Sequence, residues 1–253
     1  MGGRNNGHFR DARIWDIVAS MADNDIAAAG FQNSYDGKQI SEEEVSQNVE
    51  NVYIKLKDYL SEEDTVALEI GCSSGLTMYR IAPYCKLYIG TDMAAVNLEK
   101  NKEKNSSRKI DNIELVQCKA DEIEMFEGRG INLVIINSVI QYFEDEAYLE
   151  SVLESAIRIM ESGGVIFLGD LRDKDLREEF ENDVKQYKAK HEIRDKHEKW
   201  SDELFLTRGY FDKWKEHYRI SGVETGDKIG KIMNEFRRYR FDALLKVKPA
   251  MDC

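Results

Sequence analysis

The sequence predicts an α/β fold built on a mostly parallel sheet. Two observations lead there. Short runs that are apolar throughout alternate with stretches of helical spacing, the pattern of strands covered by helices on both faces. The first such run ends on a glycine turn that opens directly into a helix, as doubly wound folds do. At 253 residues the chain has room for one domain with a modest insertion.

The elements follow in order. Up to about Ser34, IWDIVASMADNDIAAAGF reads as one or two short helices. Ser41 before Glu42, Glu43 and Glu44 is a helix start, and Val45, Val49, Val52, Ile54 and Leu56 give residues 41–59 an apolar face. TVALEI at 65–70, closed by Gly71, is the clearest buried strand. A helix at 76–82, a strand at 86–91 (KLYIGT), a helix at 94–105 and a strand at 113–117 (IELVQ) come next. INLVIIN at 131–137 is a fourth strand. Residues 148–160 form a helix with Leu149, Val152, Leu153, Ala156, Ile157 and Met160 inward. After the turn at 162–164, residues 165–168 make a fifth strand. The charged stretch 173–200 keeps helical spacing through Leu176, Phe180, Val184, Tyr187 and His191, and reads as a solvated insertion or lid. Residues 218–224 and 239–247 are two last strands, the final one alternating and antiparallel.

Composition narrows the function. The net charge is -12, which argues against nucleic-acid and anionic-lipid partners. No segment approaches the ~20 apolar residues of a membrane span. MGGRNNGHFRDARIW has no apolar signal region, so a cytoplasmic location is expected. The cysteines, Cys72, Cys85, Cys118 and Cys253, form no C-x-x-C pair, so buried free thiols are expected and no metal site.

Chemistry concentrates at the ends of the strands. In Glu69-Ile70-Gly71-Cys72-Ser73-Ser74-Gly75 the glycines let the backbone pass close to a ligand. An acidic residue ~20 positions on, at the end of the second strand, suits a ribose diol, and Asp92 in GTDM stands there. Together they point to a nucleoside-containing cofactor. Asp121 after the third strand suits an adenine amino group, or else caps a short helix at 122–126. Asn137 at the end of the fourth strand is a site residue or a helix cap.

ALEIGCSSG, GTDM and CKADEIE together resemble the class I S-adenosylmethionine-dependent methyltransferases. INSVIQYFEDEAYLESVL, GGVIFLGDLRD and NEFRRYRFDALLKV narrow this: they are similar to the N-methyltransferase domains of nonribosomal peptide synthetases. FQNSYDGKQISEEEV and DELFLTRGYF match the opening segment and the insertion of those domains, so the resemblance runs from about Phe31 to Val247. It implies a Rossmann-like, seven-stranded sheet with helices on both faces. A helical cap over 1–60, a core at 61–172 and 218–253, and a helical lid at 173–217 complete the expected organisation.

The resemblance also implies S-adenosyl-L-methionine as cofactor. Glu69, Gly71, Cys72 and Gly75 match the cofactor loop, Asp92 the ribose acid, Met93 an adenine neighbour, and Asp121 with Glu122 the adenine end. Tyr35 matches a residue that closes over the cofactor. Asn137 lies where methyl donor meets acceptor, with Gln141 and Tyr142 shaping that pocket. Cys72 and Ser73 replace the Gly or Thr of many relatives, but their small size preserves backbone contact.

An amine nucleophile must be neutral to accept a methyl group, and a carboxylate or imidazole is a candidate proton acceptor. Asp170, at the end of the fifth strand, is the first candidate carboxylate; pairing with Arg172 or capping a helix is its structural alternative. Arg172, His191 on the insertion, and Asn234 and Arg238 of the NEFRRYRFD motif are candidate substrate residues, with surface ion pairing as the plainer reading of the arginines. Asn137, Asp170 and Tyr142 are thus the catalytic candidates.

No adenylation or carrier segment flanks the match. The expected acceptor is therefore a small molecule, a free amino acid, or an aminoacyl group on a carrier protein acting in trans. Carbon or oxygen methylation and a non-catalytic binding module remain alternatives. A nicotinamide enzyme is disfavoured by the absence of G-x-G-x-x-G spacing.

Overall fold

The computed structural model describes residues 11–193 and 202–250. Its strands are β1 (Ser61–Ile70), β2 (Cys85–Asp92), β3 (Ile113–Gln117), β4 (Leu133–Asn137), β5 (Gly164–Asp173), β6 (Phe205–Leu206), β7 (Ile220–Asp227) and β8 (Arg240–Val247). They form one sheet in the order β3-β2-β1-β4-β5-β8-β7, with β6 beside β5. β1 to β6 pair in parallel. β8 runs antiparallel between β5 and β7. This is the Rossmann-like sheet expected from the sequence, with a two-residue strand added.

Both faces of the central strands are buried, and strand periodicity shows why the runs are apolar throughout. Leu68, Ile70, Val134, Ile136, Ile166 and Leu168 share one core with Leu149, Val152, Leu153 and Ala156 of α6 (Glu146–Ile159). The alternate residues Ala67, Leu133, Ile135, Val165 and Phe167 face Val52 and Leu56 of α3 (Glu42–Leu56) and Met78 and Ile81 of α4 (Leu76–Ile81). Helix α3 starts at the anticipated place: Ser41 and Glu44 form a capping box. Glu69 and Asn137 fall on the α3/α4 face by the same alternation.

The N-terminal segment forms α1 (Ala12–Met21) and α2 (Asp25–Ala28). Helix α1 lies on α5 (Ala95–Arg108): Asp16 accepts from the Val96 N–H, and Lys100 donates to the Ala19 carbonyl.

Two expectations need correction. The fifth strand extends beyond the expected 165–168 to Asp173, buried nearly throughout. A bulge lies between Leu168 and Leu171, where Asp170 takes a left-handed φ of 66°. The polar residues beyond Gly169 belong in the sheet because ion pairs neutralise them, a compensation that no local pattern announces. The insertion also differs. Its helix α7 (Arg177–Lys190) packs Phe180 and Val184 against Phe205 and Tyr239. Further along, Leu206, Phe211 and Trp214 join the main core beneath the sheet; residues 194–201 of the expected lid lie outside the described residues.

Cys72, Cys85 and Cys118 are buried free thiols; Cys253 lies outside the described residues. Among the described residues, no helix is long and apolar enough to cross a membrane.

Candidate functional site

Strand order reverses between β1 and β4, and open α/β sheets bind ligands outside the carboxyl ends of the strands at such a point. A cavity of about 320 Å³ lies there. Its floor is the turn after β1. Gly71, Ser73 and Gly75 all have left-handed φ, 78°, 47° and 88°. A Cβ on Gly71 would stand 2.5 Å from Cγ2 of Val139, so only glycine lets the two loops meet. The Gly71 and Cys72 N–H groups donate to the Thr91 carbonyl. Asp92 completes the tie: one carboxylate oxygen accepts from Ser73 N–H and the other from Ala94 N–H, both at 2.8 Å.

Among the described residues four acidic side chains line the cavity, Glu69, Asp92, Asp121 and Glu144, against one cation, Lys119. Burial pushes the Glu69 carboxyl up to about 8, although the Tyr88 hydroxyl donates to it at 2.9 Å. Burial likewise raises Asp92, which is 8% exposed. Asp121 accepts from the Tyr148 hydroxyl at 3.0 Å. Asn137 donates to Thr77 Oγ1 at 3.3 Å, while its own carbonyl oxygen is buried with no hydrogen-bond partner among the described residues. Gly75 and Leu76 carry the chain from the loop into α4. Trp15, Ala29 and Phe31 supply an apolar wall from the N-terminal segment, and Trp15 meets Tyr142 edge-on at 5.1 Å.

Of the residues singled out in the sequence, Glu69, Gly71, Cys72, Asp92, Met93, Asp121, Asn137 and Tyr142 line this cavity. Others do not. Glu122 accepts from the Lys119 N–H in a helix-start box beside the cavity. Tyr35 packs on Tyr187 of α7 at 5.2 Å, and Trp15 and Phe31 stand where a covering residue was expected. Gln141 is buried and donates to the Ser138 carbonyl.

The acceptor-side candidates belong to a buried ionic network. Asp170 is fully buried and takes Arg240 at 2.6 Å and Lys228 at 3.2 Å. Burial alone would raise its carboxyl, but these two cations outweigh it and hold the group at about 2. Fully buried between two cations and outside the cavity lining, Asp170 is placed for structural pairing rather than for taking a proton from a bound amine. Arg172 pairs with Glu203 and Glu235 and lies over the Phe180 ring. Arg238 pairs with Glu179 and Asp183. Asn234 caps α8 (Glu235–Tyr239) and donates to Glu44. His191 stacks on Tyr187, exposed at the end of α7.

Residues 61–237 match the family described as methyltransferase domain, well over half of the chain. The chain belongs to the methyltransferase-domain family. Its sequence is 30% identical over 228 residues to the chondramide synthase cmdD of Chondromyces crocatus, covering 86% of this chain and 6% of that protein. It is 27% identical to the nonribosomal peptide synthetase dtxS1 of Metarhizium robertsii, covering 96% of this chain and 3% of the synthetase. This methyltransferase therefore spans only a small part of the length of those relatives. The N-methyltransferase NodS of Bradyrhizobium japonicum, solved with S-adenosyl-L-homocysteine, superposes with a TM-score of 0.57 over 96% of this chain and 99% of its own, at 14% identity. That likeness is one of fold.

The methyl donor of the family is S-adenosylmethionine, and the cavity fits it. Methionine sulfonium and ammonium groups are cations, and even with Glu69 protonated the acids Asp92, Asp121 and Glu144 outnumber Lys119 among the described residues of the lining. The side-chain carbonyl of Asn137, at the end of β4 in the cavity lining, is a buried acceptor with no hydrogen-bond partner among the described residues.

Proposed function

We propose that this methyltransferase transfers the methyl group of S-adenosylmethionine to an amino nitrogen of a small molecule, an amino acid or a carrier-bound aminoacyl intermediate in specialised metabolism. The observation that carries this reading is the match of 86% and 96% of the chain to segments of peptide-building synthetases. Amino groups are the nucleophiles of peptide assembly. The match extends through the N-terminal helices and the insertion, beyond the cofactor-binding half alone.

In this reading the cofactor supplies the electrophilic methyl group, and the chain positions and desolvates. Asp92 takes the ribose hydroxyls on the lone pairs its backbone partners leave open. Asp121 accepts from the adenine amino group, with Met93 beside the ring. Glu69, Asn137 and the backbone at Gly71 and Cys72 hold the methionine end. Trp15 and Phe31 exclude water. Tyr142 shapes the acceptor side, where a carrier protein presents its cargo or a free substrate enters.

The experiment is a methyl-transfer screen over L-amino acids, their N-acetylcysteamine thioesters and simple amines, using 13C-methyl S-adenosylmethionine. The expected product signal is an N-methyl resonance. O-methyl or C-methyl signals alone would move the reaction to another nucleophile.

A further inference from the structure

Ser138 follows Asn137 at the carboxyl end of β4 and lines the same cavity. It has a left-handed φ of 60°, a conformation that a serine adopts only when its surroundings enforce it. Here they do. Its N–H donates to the Gly169 carbonyl at 3.1 Å, and its carbonyl accepts from the Gln141 amide at 2.8 Å. Its hydroxyl donates to Oδ2 of Asp170 at 2.9 Å.

That last bond fixes the direction of the hydroxyl. A carboxylate clamped by Arg240 and Lys228 only accepts hydrogen bonds. Ser138 must therefore give Asp170 its single hydrogen, and its oxygen has only lone pairs left to offer a further partner. A hydroxyl polarised toward a carboxylate is also a stronger acceptor.

We propose that Ser138 orients the methyl acceptor by accepting a hydrogen bond from the reacting N–H, with Asp170 as the residue that positions it. The inference rests on the amine reading above. As the nitrogen lone pair forms the new N–C bond, the C–S bond breaks and its electron pair stays on sulfur. The nitrogen becomes positive and keeps its proton in that step. Its N–H then binds Ser138 Oγ more strongly than in the ground state, which is the condition for accelerating the reaction. The same bond aims the nitrogen lone pair away from Ser138. The site accordingly accepts primary and secondary amines and rejects tertiary ones.

The test uses Ser138→Ala and Ser138→Gly in the full chain. Glycine relaxes the left-handed backbone and alanine keeps its strain, so the two differ in stability but share the lost oxygen. With the L-valyl thioester of N-acetylcysteamine, kcat is expected to fall about 10- to 100-fold in both variants. Affinity for S-adenosylhomocysteine should stay within about twofold by calorimetry, and the thioester should bind that complex about fivefold more weakly, as loss of one hydrogen bond implies. Wild-type N-methylation with near-normal kcat in both variants would overturn the role of Ser138 alone. Wild-type transfer to oxygen or carbon only would remove the amine reading, and this proposal with it.

Discussion

Asp92→Ala is expected to weaken S-adenosylhomocysteine binding at least about 100-fold, the loss of two charge-assisted hydrogen bonds. The carboxylate serves both the cavity and the loop beneath it. It holds the Ser73 and Ala94 N–H groups at 2.8 Å, so its removal frees the glycine turn as well as losing the acceptor for a ribose diol. Asp92→Asn keeps one acceptor oxygen and should bind between the two. Titration calorimetry separates the three proteins; equal affinities would place the ribose elsewhere.

Asp170→Ala is expected to cost about 3–5 kcal/mol of folding stability, the usual consequence of stranding buried charges. Arg240 would keep Glu235, and Lys228 would keep Asp242, but both lose their fully buried partner. The effect depends on pH in a definite direction. Asp170 is held at about 2, below the ~3.9 of an unfolded aspartate. Its contribution is present above about pH 4 and is lost as pH falls through 2. Urea unfolding at pH 7 should show the large difference, and the gap between wild type and variant should narrow on acidification in that window. Equal stability at pH 7 would mean that the network does not hold this end of the sheet.

The central fold was legible because each strand carries its own signature. TVALEI and INLVIIN are apolar on successive residues, and that continuity reports helices on both faces without any knowledge of the partners. The cavity lining is legible for a related reason: Gly71, Asp92 and Asn137 sit at or just past the ends of strands and Asp121 four residues beyond β3, and parallel strands bring those ends to one edge. What could not be read was the pairing of distant charges. Asp170 looks like a free carboxylate at a strand end, and nothing near it says that Lys228, from the turn before α8, and Arg240, from β8, return to it. The polar continuation of β5 was missed for the same reason. The cavity wall from Trp15 and Phe31 was equally hidden, since weak helical periodicity in the first 34 residues does not tell where a segment docks. Gly30, with a φ of 72° and Trp15 packed against it, was the available clue. Ser138 beside Asn137 carries no signal in the sequence, because a serine in a loop shows its role only through its hydrogen-bond partner.

Calorimetric titration of the chain with S-adenosylhomocysteine, and separately with NADH, tests the cavity most directly. Micromolar affinity for S-adenosylhomocysteine and no heat with NADH is the expected result. Absence of S-adenosylhomocysteine binding, or binding of NADH in its place, would contradict the assignment of this cavity as the methyl-donor site.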